Sequence, residues 1–130
     1  MANKKFFGEG KDIEFKREIS KNHEKFLKDV IAFANSCGGT IYLGIEDETG
    51  IVYGIGDTSP FKLSDAISTM IGDACVPQIN PDITHKTMRG IDKDETVLEI
   101  YVAPGKYRLY YLGSKGSKHI HQNQWYEPSC

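Results

Sequence analysis

The side chains best suited to chemistry in this sequence are cations and aromatic rings gathered toward its two ends. Lys4, Lys5, Lys11, Lys16 and Arg17 open the chain, and Lys106, Arg108, Lys115 and Lys118 lie near its close. Lysine and arginine in such groups neutralise phosphates. Tyr107, Tyr110, Tyr111 and Trp125 accompany the second group, and rings beside cations can stack on bases. Strand alternation would point Tyr110 and Tyr111 to opposite faces, so packing in the core or between subunits is the stronger reading for them. His119 and His121 are two apart, which on a strand puts both imidazoles on one side, as a metal would need. No third ligand accompanies them, and solvent-exposed histidines are the simpler reading. Gly8, Gly10 and Lys11 imitate a phosphate loop, yet the G-x4-G-K-(S/T) spacing and a preceding strand are missing, which leaves no direct sign of ATP binding.

The net charge of −2 conceals how these cations are distributed. Residues 1–28 hold eight basic and five acidic side chains, and residues 104–130 hold four basic and one acidic. The middle, 29–103, holds four basic and twelve acidic ones. Basic ends on an acidic body make a basic face if the fold brings the ends together; otherwise they are solvated surface. With 130 residues and 39% hydrophobic content, the chain fits one domain, 1–130, large enough to bury a core without staples. Cys37, Cys75 and Cys130 are odd in number, far apart and free of any C-x-x-C pair, so neither a zinc site nor a disulfide framework is expected. No signal-peptide pattern and no apolar run of membrane-spanning length is found, which points to the cytoplasm and away from a membrane partner.

The elements that must position these groups follow from periodicity. Residues 12–16 alternate as a short strand. A helix follows, with Asn22 as N-cap and Phe26, Leu27, Val30, Ile31 and Ala34 on one face; Asn35 and the Gly38–Gly39 pair stop it. That glycine pair would allow close backbone approach, but the helix ends there, and its dipole has the wrong sign for an anion. Residues 40–45 alternate again, with Ile41, Leu43 and Ile45 inward, and 51–53 return as a hairpin partner after the polar turn 46–50. Ser59–Pro60 starts a second helix, or Ser64 caps it later; Ile67, Met70, Ile71 and Ala74 share a face, and Pro77 ends it. Strands are expected near 83–88, 97–102 and 107–112, with 118–121 as a further candidate. The fold class is therefore α+β: a mixed sheet of about six strands in βαββαβββ order, with two main helices packed on it.

Three segments carry a family likeness. EGKDIEFK at 9–16 fits an opening E-x4-E-F-K motif. IAFANSCGGTIYLGIED at 31–47 fits (V/I)-A-F-A-N-x-x-G-G-x-(I/L)-x-x-G-(I/V)-x-D. VLEIYVAPG at 97–105, with Arg108 and the run 110–112, fits a V-x-I-x-V-x-P-(S/G)…R-P-Y-Y-L ending. Over residues 7–115 the chain resembles the Schlafen AlbA-like domain family, and the middle segment is the specific one. Leu109 stands where proline is common, and the usual Y-x-R-x-G-S-(S/T) continuation is replaced by KHIHQN at 118–123, without its arginine; residues 116–130 form a divergent tail.

The resemblance implies several readings of function. Bacterial relatives often precede a winged-helix half in chains described as transcriptional regulators; such a C-terminal companion either belongs to this protein beyond the given residues or never existed in it. That makes a nucleic-acid interaction domain, DNA-binding in a regulator, the leading expectation, with Lys11, Lys16, Arg17, Arg108, Lys115 and Lys118 touching phosphates. In nuclease-active relatives three carboxylates form the site, and the matching positions are Glu9, Glu14 and Asp47. If catalytic, they would hold Mg2+ or Mn2+ and the protein would be a metal-dependent endoribonuclease. Glu9 and Glu14 are five apart and would face opposite sides of an uninterrupted strand; Gly10 offers the bend that could join them. Against this, Glu14 fits the polar face of a strand and Asp47 a simple turn. The third reading is a protein-interaction or homodimerisation module that pairs an edge strand such as 107–112.

Overall fold

The computed structural model describes residues 12–106 and 109–113. Its elements are β1 (Ile13–Lys16), α1 (Glu24–Ala34), β2 (Gly39–Leu43), α2 (Pro60–Ala74), β3 (Cys75–Val76), β4 (Asp82–Arg89), β5 (Asp94–Val102) and β6 (Tyr111–Leu112). Two helices and a mixed sheet make the α+β class. The six strands divide into a four-stranded sheet, β1-β2-β5-β4, and a two-stranded one, β3-β6. β1 and β2 run parallel, with Ile13 beside Thr40 and Lys16 beside Leu43, and α1 is the crossover between them. β5 is antiparallel to both β2 and β4.

Register decides which face each side chain takes. Ile41, Leu43, Leu98, Ile100 and Val102 face the helices, where Phe26, Val30, Ile31, Ile67 and Ile71 close the main core. Each fully buried isoleucine there stabilises the fold by about 1.5–3 kcal/mol relative to exposure. The opposite face carries a smaller cluster of Phe15, Ile45 and Val97, with Tyr42, Val52 and Met88 packed on it.

Local chemistry sets the helix ends. His23 occupies the cap position of α1 without a side-chain bond, while Asn22 Oδ1 accepts from the Glu24 N–H at 3.0 Å. Asn22 thus serves the first turn from one residue further out than expected. Gly38, at φ +86°, turns the chain out of α1 and bonds its N–H to the Phe33 carbonyl. Ser59 Oγ accepts from the Lys62 N–H, and Pro60 opens α2, as the cap-then-proline reading requires.

Three expectations are corrected. Ile45 does not continue the inward alternation of Ile41 and Leu43 but joins the small cluster on the other face. Gly44, at φ +114°, breaks the alternation, and a Cβ there would lie 3.1 Å from the backbone of Gly54. Residues 51–53 are not a full strand; one bridge, Ile45 to Val52, remains, because residues 53 and 54 both turn their N–H groups to the Gly44 carbonyl. Cys37 is disulfide-bonded, whereas Cys75 is free and buried. Among the described residues no helix is long and apolar enough to cross a membrane.

The face away from the helices has a polar centre. Glu99 accepts from the Tyr42 hydroxyl at 2.8 Å and the Thr84 hydroxyl at 3.2 Å, and Lys86 lies 3.5 Å away. Burial first, and then Glu99, push the Tyr42 phenol up from 10.0 to about 12. An acid whose folded pKa exceeds its unfolded one contributes stability that is intact below the unfolded value and is lost as pH rises through the folded one. The contribution of this network should therefore hold below pH 10 and decline toward 12. In an ultraviolet tyrosinate titration of the folded protein, Tyr42→Phe is expected to remove a phenol that ionises at about 12. If the curve is unchanged, Glu99 does not hold that proton.

Candidate functional site

β1 and β2 end side by side, and the chain leaves them in two directions: residues 17–22 toward α1, and 44–53 through a turn. Between these departures lies a cleft of about 450 Å3. Crevices beyond the carboxyl ends of parallel strands are where open α/β sheets hold ligands, because connecting segments diverge there. Ile19, Leu43, Ile55 and Leu63 give it apolar walls; Arg17, Glu18 and Tyr53 give it polar groups. The Arg17 guanidinium carbon sits 3.6 Å from the centroid of the Tyr53 ring. A cation laid on a ring face is held in place without losing its N–H donors at the rim. Both Arg17 and Glu18 are exposed.

Lys16, one residue earlier, has a different role. By register Glu14 and Lys16 lie on the helix-facing side of β1, beside Ile41 and Leu43. The Lys16 ammonium is 2.8 Å from Asp29 Oδ2 on α1 and 3.8 Å from Glu14. The Asp29 contact meets the distance of a hydrogen bond but not its angles, and Oδ2 makes no hydrogen bond among the described residues. Lys16 is thus the charge that compensates a half-buried aspartate, and its neighbour Arg17 is the cation turned outward.

The remaining sequence candidates divide as follows. Glu9, Lys11, Arg108, Lys115 and Lys118 lie outside the described residues, as do Tyr107, His119, His121 and Trp125. Asp47 is exposed in the polar turn after β2. Among the described residues no three His, Cys, Asp or Glu side chains come together as metal ligands; Glu14 and Asp47 are two of the three proposed carboxylates. Tyr110 is buried and Tyr111 exposed, as alternation required. Asn35 is fully buried: its Nδ2 donates to the Tyr110 carbonyl at 3.1 Å, and its Oδ1 accepts from the Tyr110 N–H at 2.8 Å. It joins α1 to the approach of β6, a structural role in keeping with a helix stop. Sequence reasoning missed Glu18, Tyr53, Ile55 and Leu63 as one site. The available signal was topological: a strand–helix–strand run with a parallel pair implies a crevice at the strand ends.

The family model described as Schlafen, AlbA_2 matches residues 9–127. The chain belongs to this family. A solved structure similar to this Schlafen AlbA_2 domain is the N-terminal domain of a protein related to the ATP-dependent DNA helicase RecG, from Nitrosomonas europaea. It is 17% identical, with a TM-score of 0.62, over 99% of this chain and 86% of that one. At that identity the likeness establishes the fold. A second, from Corynebacterium diphtheriae, is 26% identical with a TM-score of 0.49, over 74% of this chain. The match spans 18% of the Corynebacterium protein's length. No curated protein matches the chain.

Proposed function

We propose that this Schlafen AlbA_2 domain is a nucleic-acid interaction module, with DNA as the favoured partner, of the kind carried by transcriptional regulators. The observation that carries the reading is the exposed Arg17 guanidinium fixed over Tyr53 at the cleft. Arginine supplies several donors in a fixed fork that suits phosphate oxygens, and stacking pre-organises it. Family membership supports the same direction. The basic residues at 11, 108, 115 and 118 would extend the phosphate contacts. A cytoplasmic setting, where nucleic acid is reached, belongs to the same proposal, as does a companion winged-helix domain.

The test is an anisotropy titration with labelled duplex DNA and hairpin RNA across a salt series. Binding should weaken linearly in log–log form as salt rises, and Arg17→Ala should reduce the slope by about 1, the loss of one phosphate contact. Absence of binding to either at low salt would overturn the reading. The same samples run on a gel with Mn2+ or with EDTA report cleavage. Metal-dependent cutting of the RNA that disappears in Glu14→Gln would instead assign the domain to endoribonucleases with Glu9, Glu14 and Asp47 at the centre. A stable dimer without nucleic-acid affinity would favour a protein-interaction role, for which β4 is an edge strand of the sheet among the described residues.

A further inference from the structure

The cleft has a property that phosphate contacts alone do not require. A duplex backbone is met adequately by cations on a convex or flat surface. Here the outward cation instead stands at the edge of a hollow whose volume, about 450 Å3, falls within the roughly 300–1,000 Å3 typical of small-ligand sites. Its walls come from Leu43, Ile55 and Leu63, branched apolar side chains that offer flat contact and no hydrogen bonds. A planar heterocycle fits such walls. A base inside a duplex cannot reach them, because its faces are covered by its neighbours and its pairing edge by its partner.

The polar groups suit the same guest. Arg17 is held over the Tyr53 ring, 3.6 Å from its centroid, with N–H donors left for a phosphate. Glu18 is exposed in the same cleft and is an acceptor when ionised. A carboxylate there accepts from exocyclic amino groups, which cytosine, adenine and guanine carry and thymine and uracil lack. We propose that the cleft takes one unpaired nucleobase of a single strand. Leu43, Ile55 and Leu63 contact its faces, Glu18 meets its amino edge, and Arg17 meets the neighbouring phosphate. This rests on the nucleic-acid reading above and narrows it: the domain reads strands that are already unpaired, at ends, loops or opened duplex.

The experiment uses the full chain and short oligonucleotides of about six residues with a central 2-aminopurine, single-stranded or annealed to a complement, in deoxyribose and ribose forms. Single strands are expected to bind about tenfold tighter than the duplex of the same sequence, the order of burying one base against apolar side chains. The 2-aminopurine emission should change on saturation. Leu63→Trp, which fills the hollow, should abolish most of the single-strand advantage over the duplex. Glu18→Gln lies at the surface and should fold unchanged; its predicted effect is a loss of preference for oligo-dC and oligo-dA over oligo-dT. The deoxyribose and ribose arms show which sugar the strand carries.

Equal affinity for strand and duplex, with unchanged 2-aminopurine emission and no effect of Glu18→Gln, overturns the pocket assignment and leaves the nucleic-acid reading standing on the duplex binding. No binding of strand or duplex overturns both.

Discussion

Asn35→Ala is expected to lower the unfolding free energy by about 2–5 kcal/mol, measured by urea denaturation, the largest loss we anticipate from a single polar side chain here. The wild-type amide meets both main-chain groups of Tyr110, at 3.1 and 2.8 Å, in a fully buried position. Alanine removes both of these buried hydrogen bonds, and losing one partner of a buried bond costs about 1–3 kcal/mol. Asn35→Leu separates this cause from an ordinary cavity. Leucine restores the volume but not the bonds, so it should be no more stable than alanine. If leucine recovers most of the loss, the amide is acting as filler and the hydrogen bonds are dispensable.

Lys16→Met should be the next most damaging, by about 1–3 kcal/mol. The range lies below the 3–5 kcal/mol of a fully buried broken pair because both partners retain some solvent. The Lys16 and Asp29 side chains are 12% and 26% exposed. Methionine keeps the apolar stem and removes the ammonium, which strands the Asp29 carboxylate of α1 without its counter-charge on β1. The cost should shrink in the double variant Lys16→Met, Asp29→Asn, since no charge then remains to compensate. A double variant that is as unstable as the sum of the two single ones would show that the pair is not coupled. The same experiment bears on binding: Lys16→Met should change nucleic-acid affinity far less than Arg17→Ala, because the Lys16 charge faces Asp29.

The helices were legible in the sequence because each is announced by both period and punctuation. The apolar face of α1 and the Ser59–Pro60 start of α2 stand at the expected residues. β1, β2, β4 and β5 were legible by alternation for the same reason. What alternation cannot report is where a backbone leaves its pleat. Ile45 reads as one more inward residue until Gly44 turns the chain, and 51–53 read as a strand until the Gly44 carbonyl takes up the Tyr53 and Gly54 N–H groups. The site was less legible than the fold. Arg17 was picked out as a cation, but nothing in the local sequence says that it points outward while Lys16 does not. The difference is one of register, which puts one charge under a helix and leaves the other beyond the strand's end, over a tyrosine 36 positions later in the sequence. Asn35 was read as a helix stop, and its partner 75 residues away could not be inferred from local pattern.

That long reach has a consequence for biosynthesis. Asn35 leaves the ribosome well before Tyr110 exists, and until then the amide has water as its partner. At about 5–20 residues per second the wait is roughly 4–15 s. For most of it the first strand–helix–strand run is complete in sequence, yet β5, which completes the sheet between β2 and β4, and the main-chain groups that satisfy Asn35 have not been translated. The nascent chain therefore passes through an interval in which its first half has an open apolar strand flank. A chaperone that binds extended apolar segments would find its target in this interval and lose it once residues 97–112 emerge.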